Sequence, residues 1–250
     1  MRTQLAGLYV LILGLASGQA FGEPPHAILP GDGAINGAVI APYDNAWSVI
    51  VRSRDGSIRH VGLATDHVGL VILNGHRLIQ RIEGEVDDDG SPSEISMTWS
   101  DPTTLAPYAD ENRAADGSVT QRRFDGTRLV VRTIARPGAK QTVLQFDLSQ
   151  PVFDFRGNMA GLILRAQPLA PGYAARIPWA DTDGVVHLTE IHVLRREAVY
   201  AGLIGKIQTW VVAVGAAPSH TTYWIGDRSP YVIRCEVKSE DSVSVWQTIP

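Results

Sequence analysis

One stretch of the chain, Asp147–Tyr173, carries apolar residues at helical rather than strand spacing. Phe155, Met159, Leu162 and Ile163 recur there at steps of three, four and seven residues, which is typical of an amphipathic helix. Short alternating segments dominate the rest of the sequence. A lone helix among strands constrains the fold strongly, because its apolar stripe must be buried against the sheet that those strands form.

Capping residues set the ends of the predicted helix. Asp154 is a suitable N-cap, and Pro168 cannot continue a helix, so the sequence predicts a helix over Asp154–Gln167. Two glycines within it, Gly157 and Gly161, would allow its backbone to approach the sheet closely.

Alternation of polar and apolar residues, with turn residues such as Asp55-Gly56 and Asn74-Gly75 between the runs, predicts a series of antiparallel strands. The polar segment Tyr108–Gly117 is predicted as a loop. The predicted strands are Trp47–Arg54, Ser57–Ala64, Val68–Leu73, His76–Glu85, Glu94–Ser100, Ser118–Phe124, Arg128–Ala135, Gln141–Leu148, Ala174–Trp179, Val185–Val199, Lys206–Val214, Thr221–Gly226, Tyr231–Lys238 and Ser242–Ile249.

These elements predict a mainly β protein. We expect a curved antiparallel sheet, a half-barrel or open barrel, with the one amphipathic helix packed on its concave face. The predicted organisation is a signal peptide over residues 1–22, an extended arm over 23–45 and a single β-rich domain over 46–250.

The first residues have the layout of a secretory signal peptide. Arg2 precedes an apolar run from Leu5 to Leu15, and the small residues Ala20 and Gly22 stand before Glu23. The run is short for a membrane span, and no cysteine follows it as a lipid-attachment site. We therefore expect a soluble periplasmic or secreted protein without a transmembrane segment after cleavage.

Charge and cysteine content exclude several classes. The formal net charge is −4, which argues against nucleic acid as a partner. Cys235 is the single cysteine, so no internal disulfide can form. Its alternating surroundings predict a buried, inert thiol.

No familiar catalytic or metal-binding motif occurs, and no cofactor is predicted. The nearest candidate is the cluster of His187, Glu190 and His192. On a strand, His187 faces away from the other two side chains, so the three cannot converge on one ion. An enzyme whose catalytic residues meet only in the folded chain stays open, but a binding role is favoured over catalysis.

Three segments together resemble a known family: Trp99–Tyr108 (WSDPTTLAPY), Leu164–Gly172 (LRAQPLAPG) and Tyr223–Arg234 (YWIGDRSPYVIR). The chain resembles a family of uncharacterised exported bacterial proteins, a domain of unknown function. That family is similar in plan to the lipoprotein carriers LolA and LolB, in which a curved antiparallel half-barrel holds helices on its concave side. The resemblance implies the same half-barrel here.

The leading hypothesis is a periplasmic protein that binds a hydrophobic small molecule or lipid between sheet and helix. An envelope module that recruits a protein partner through a sheet edge is the first alternative, and a hydrolase with dispersed catalytic residues is the second. The predicted ligand-binding residues are Trp99, Phe155, Met159, Leu162, Ile163, Trp210 and Trp224.

Overall fold

A computed structural model of the chain describes residues 25–155, 158–215 and 220–249. The predicted signal peptide lies outside the described residues, as does Gly157. Within the described part of the chain, no helix combines the length and apolar character needed to cross a membrane.

The described residues form fourteen strands, one α-helix and two short 3-10 helices, Gly37–Val39 and Gly202–Ile204. The helix, α1, spans Ala160–Arg165. The strands are β1 (Tyr43–Ser53), β2 (Ile58–Leu73), β3 (His76–Asp87), β4 (Pro92–Ser100), β5 (Pro107–Ala114), β6 (Val119–Asp125), β7 (Arg128–Ile134), β8 (Thr142–Asp147), β9 (Ala174–Ala180), β10 (Val186–Tyr200), β11 (Lys206–Val214), β12 (Thr221–Gly226), β13 (Val232–Lys238) and β14 (Ser242–Thr248).

All fourteen strands belong to one antiparallel sheet, which is curved and not closed. The first eight strands form one meander and the last six form another, and the two meanders join where β1 pairs with β14. Strands β8 and β9, consecutive in sequence, therefore lie at opposite edges of the sheet. The segment that connects them, residues 148–173, crosses from one edge to the other and carries α1. The predicted mainly β fold with one helix on the concave face is confirmed.

Side chains bring the two edges of the sheet together without strand pairing between them. A cluster of buried apolar residues includes Leu129 and Val131 of β7, Val152 of the crossing segment and Ala180 of β9. Such packing removes apolar surface from water on both sides of the opening. The crossing segment therefore fills the gap that the curved sheet leaves.

The other side of β9 is partly covered by the N-terminal segment. Ala27 forms a parallel bridge with Arg176, and the amide of Ile28 donates to the carbonyl of Arg176 at 3.0 Å. The described part of the predicted arm thus contributes to the sheet edge. Its last residues join β1, which begins at Tyr43, before the predicted boundary at residue 46.

The strand predictions are close to the structure, with two exceptions. The predicted runs Ser57–Ala64 and Val68–Leu73 form one continuous strand, β2. The predicted loop Tyr108–Gly117 is wrong, because most of it forms β5. Asp110 of β5 pairs with Arg122 of β6 across the sheet, so polar residues there satisfy one another inside a strand.

The helix is shorter than predicted. It comprises six residues rather than the whole of Asp154–Gln167, and Met159 occupies the N-cap position without a side-chain cap hydrogen bond. Asp154 lies upstream, where its carboxylate accepts hydrogen bonds from other strands. The prediction of Asp154 as N-cap was wrong because its oxygens serve these side chains instead. Ala160 to Leu164 are all buried.

Candidate functional site

Two arginines hold the crossing segment against the sheet. The first is Arg81 of β3, which is buried. Its guanidinium donates to both carboxylate oxygens of Asp66, at 2.7 and 3.0 Å. It also donates to the backbone carbonyl of Asn158, just before α1. Tyr43 donates to the same Asp66 carboxylate at 2.6 Å. A bidentate pair of this kind is strong when it is removed from water, so it fixes the start of α1 over β3.

The second arginine is Arg122 of β6, whose side chain is mostly buried, at 14% exposure. It donates to Asp154 Oδ1 at 2.7 Å and lies 2.9 Å from Asp110 Oδ2. A third bond, of 3.1 Å, goes to the carbonyl of Ala180 on the edge strand β9. Burial, with the nearby charge of Asp154, raises the pKa of Asp110, although Arg122 opposes that rise. Arg122 of β6 thus connects its own half of the sheet to the crossing segment and to the opposite edge strand, β9.

A cavity of about 210 Å³ lies between the start of α1 and the central strands of the sheet. For scale, liquid water occupies about 30 Å³ per molecule, so this space is several waters in size. Val237, which is 42% exposed, belongs to its wall, so the cavity reaches the surface there. Its lining residues are Trp47, Arg81, Glu83, Asn158, Ala160, Gly161, Tyr223, Val232, Cys235, Val237 and Trp246.

One side of the cavity is aromatic and apolar. The rings of Trp47 and Trp246 meet nearly at right angles, with centroids 6.2 Å apart and planes 78° apart. Tyr223 and Cys235 are paired across β12 and β13. Burial raises the pKa of the Cys235 thiol to about 12, so the thiol stays protonated at neutral pH. A protonated thiol is a poor nucleophile, but the predicted burial is incomplete, because Cys235 is half-buried and lines the cavity.

The other side of the cavity carries polar groups that lack partners. Trp47 is 3% exposed and Asn158 is 8% exposed, yet Trp47 Nε1 and Asn158 Oδ1 have no hydrogen-bond partner among the described residues. Glu83 lies 3.6 Å from Arg81 Nη2. Burial raises the pKa of Glu83 to about 7, and Arg81 opposes the rise. Unpartnered buried polar groups are costly, and here a donor, an acceptor and a carboxyl group border the same empty space.

None of the seven predicted ligand-binding residues lines this cavity. Phe155, Met159, Leu162 and Ile163 are fully packed in the main core, on parts of the crossing segment that face away from the cavity. The helix reaches the cavity through Ala160 and Gly161 instead.

The three predicted tryptophans lie apart from one another. Trp99 borders a separate pocket of about 160 Å³ between β4 and β7. Trp210 packs against the main core with the Arg196 guanidinium 4.5 Å from its ring. Trp224 is buried, with the Arg234 guanidinium 4.9 Å from its ring. The role of all seven residues as ligand contacts stays a prediction.

Sequence reasoning missed the polar side of the cavity. Arg81, Glu83 and Asn158 stand far apart in the chain, and no local pattern joins them. The available signal was the alternation of β3, which places Arg81 and Glu83 on one face with the buried Ile79. Charged residues on the core-facing side of a strand indicate either an internal ion pair or a site.

The histidines lie outside the cavity. His187 contacts Asp181 at 2.7 Å and stacks on Trp179, whereas His192 contacts Glu190 at 3.4 Å. Both pairs are partly exposed on β10 and its turn. Among the described residues, no group of three or more His, Cys, Asp or Glu side chains is placed to hold a metal ion.

Comparison with known proteins gives one structural neighbour and one family. A crystal structure of a DUF1329 family protein from Desulfovibrio piger ATCC 29098 is similar with a TM-score of 0.28 and 10% sequence identity, over 84% of this chain and 85% of that chain. At that TM-score the likeness carries no argument about function. No curated protein matches the sequence. A family model described as "Protein of unknown function (DUF3108)" matches residues 50–243, more than half of the chain. The chain belongs to this family of proteins of unknown function, DUF3108.

Proposed function

We propose that the protein binds a hydrophobic or lipid-like ligand in the cavity between α1 and the central strands, and that it does so in the periplasm or after secretion. The observation that supports binding is the cavity of about 210 Å³, which has apolar walls from Val232, Val237 and Trp246. The signal-peptide layout of residues 1–22 supports export. Each methylene moved out of water contributes about 0.8 kcal/mol, so a chain of about eight methylenes contributes about 6 kcal/mol before association costs.

The position of the cavity suits such a ligand. It borders the first residues of α1, so small movements of the crossing segment would change its depth. Gly161 contributes to this wall, and any Cβ there would lie 2.2 Å from Val232 Cγ2. The absence of a side chain at this position therefore keeps helix and sheet in close contact beside the cavity.

A pair of matched substitutions tests the proposal. Val237→Trp places a large side chain at the exposed wall of the cavity, whereas Val143→Trp makes the same change at a 55% exposed site on β8. We expect Val237→Trp to weaken binding of a fluorescent acyl probe by about tenfold or more, and Val143→Trp to leave it unchanged. Native mass spectrometry of gently purified protein gives a second readout. A protein that is consistently ligand-free and also fails to bind the probe would contradict the proposal.

An edge strand of the described sheet supports a second candidate function, the recruitment of a protein partner by strand addition. Strand β8 is an edge strand on which Val143 and Leu144 are both exposed. Exposed apolar edge strands are suited to pairing with another chain. Crosslinking in cells that captures one dominant protein, lost on Val143→Lys and retained on Val237→Trp, would favour this role over ligand binding.

A further inference from the structure

We propose that the cavity selects a ligand with a cationic ammonium head attached to an apolar chain. This inference rests on the proposed function, and it adds the chemistry of the head group. At the polar side of the cavity two carboxyl groups, those of Glu83 in the wall and of Asp66 behind it, lie beside the single guanidinium of Arg81.

The charges around the cavity do not cancel. Arg81 lines the cavity, but its positive charge is matched by the fully buried Asp66, which it contacts through two hydrogen bonds. Glu83 is a further carboxyl group in the wall, 3.6 Å from the same guanidinium. With Asp66 and Arg81 paired, an ionised Glu83 leaves one uncompensated negative charge. A bound cation would supply the missing partner.

More carboxylates continue from Glu83 along the same face of the sheet. Glu85 lies two residues further on β3, and Glu94 is directly opposite it on β4. Like charges in opposed positions destabilise a sheet. Burial, together with the charge of Glu94, raises the pKa of Glu85. Among the described residues neither carboxylate forms an ion pair, although Glu94 accepts hydrogen bonds from Ser96 and Asn112. This face would draw positively charged ligands towards the cavity.

One unpartnered acceptor in the wall provides an observation independent of these carboxylates, whereas the unpartnered Trp47 Nε1 is a donor and does not bear on the cation. Asn158 Oδ1 is buried, has no described partner, and can only accept hydrogen bonds. Its own amide nitrogen already donates to the carbonyl of Ser96 at 3.2 Å. An ammonium N–H is a donor of the required kind. A carboxylate or phosphate head would instead place acceptors against Asn158 Oδ1 and Glu83.

The aromatic walls also suit a cation. Trp47 and Trp246 form a corner of two nearly perpendicular indoles, and Tyr223 lies in the same wall. Aromatic faces attract ammonium groups within about 6 Å of a ring centroid, and indole is the most effective ring. Arg81 already occupies one such position, with Cζ 5.7 Å from the Trp47 ring. The Trp246 and Tyr223 rings have no described cation over them, so they can receive the ligand.

Calorimetric titration of the full chain with three ten-carbon probes tests the inference: decylammonium, 1-decanol and decanoate, each below its solubility limit and below any micelle-forming concentration. We expect the cation to bind about tenfold or more tightly than decanoate. Glu83→Gln should weaken the cation by about tenfold and leave 1-decanol unchanged, which also shows that this variant is folded. The matched control Glu190→Gln, at an exposed site on β10, should change none of the three affinities.

The outcomes separate the inference from the proposed function. Binding of 1-decanol and decanoate with no preference for the cation would contradict selection of an ammonium head group. It would still support an apolar binding site. Failure of all three probes to bind would overturn both. Methylammonium distinguishes the source of the head group: if it binds as tightly as the ten-carbon cation, the ligand is a small soluble ammonium compound and the apolar chain is excluded.

Discussion

Arg81 and Arg122 both connect the sheet to the crossing segment, but their surroundings differ. Arg81 and Arg122 each lie on the concave face, pair with carboxylates and donate to the crossing segment. Arg122 borders a smaller pocket of about 160 Å³, and its third bond goes to the carbonyl of Ala180 at the opposite edge of the sheet. Beside Arg81 lies a cavity with unpartnered groups from Trp47 and Asn158.

The difference lies in the space beside each arginine: beside Arg81 it is larger and its walls include the Trp47–Trp246 corner, whereas beside Arg122 most wall residues are polar or charged. An ion pair needs surrounding partners to offset its loss of hydration. Asp110, Asp154 and the Ala180 carbonyl accept hydrogen bonds from the three guanidinium nitrogens of Arg122. These bonds connect the two edges at the open side of the sheet. The Arg81 cluster is incomplete at Glu83 and Asn158, and the empty space next to it is the natural place for a ligand that completes it.

The largest effect should follow removal of the guanidinium from the Arg122 cluster, which comprises Arg122, Asp110 and Asp154. Arg122→Met leaves Asp110 and Asp154 buried without their cation, so we expect a loss of about 3–5 kcal/mol in the free energy of unfolding. Urea denaturation measures it, with the exposed Arg128→Met as control. Probe binding by the folded fraction should be unchanged, because Arg122 does not line the cavity. A loss below about 1 kcal/mol would show that the Arg122 contacts between the two sheet edges do not stabilise the fold.

Contact between α1 and β13 is the next test. Gly161→Ala places a Cβ 2.2 Å from Val232 Cγ2, and the required shift should lower the free energy of unfolding by about 1–3 kcal/mol. Val232→Ala creates room for the new methyl group. The double variant should therefore be more stable than the sum of the single losses predicts, and strict additivity would show that the two residues do not touch.

Glu83 should make stability depend on pH. Its pKa is about 7 in the folded protein and about 4.3 when unfolded. Between these values the folded state keeps a proton that the unfolded state releases, so the free energy of unfolding falls as pH rises. The charged groups acting on Glu83 are Arg81, Asp66, Glu85 and Glu94.

Glu83→Gln removes this titration. We expect the variant to gain about 1–2 kcal/mol over the wild type at pH 8 and little at pH 4.5. Thermal unfolding across that range measures the difference. Equal pH dependence of the two proteins would show that Glu83 is not the titrating group.

The smallest effect on stability concerns a single hydrogen bond to Asp154 of the Arg122 cluster. Thr98 Oγ1 donates to Asp154 Oδ2 at 2.9 Å inside the core. Thr98→Val keeps the shape and removes the donor, so we expect a loss of about 1–2 kcal/mol in stability and no change in probe affinity. Thr65→Val is the matched control, since Thr65 makes only a 3.5 Å contact at an exposed site. Equal losses for the two variants would show that the buried bond adds nothing.

The sequence predicted the strands well because each depends on local alternation and on turn residues beside it. Asn74 and Gly75 both adopt positive φ, at 51° and 81°, as a tight hairpin turn requires. The helix boundary and β5 failed for one common reason. Asp154 and Asp110 were interpreted from local preference, as a cap and as a loop residue, whereas both serve Arg122.

The cavity could not be predicted, because it is formed by residues from six separated parts of the chain, namely β1, β3, the crossing segment, β12, β13 and β14. Trp47, Glu83, Asn158 and Trp246 meet only when the two meanders pair and the crossing segment closes over them. Helical periodicity identified the correct segment but selected its fully packed residues. The space lies instead beside Ala160 and Gly161, where the side chains are small.

Photo-crosslinking tests the central claim most directly. A ten-carbon alkyl ammonium with a terminal diazirine, irradiated with the full chain and mapped by mass spectrometry, should label peptides that contain Trp47, Val237 and Trp246. An excess of decylammonium should suppress that labelling. Labelling spread over exposed surfaces such as Val143 and Leu144, without competition, would contradict a ligand site between the helix and the sheet.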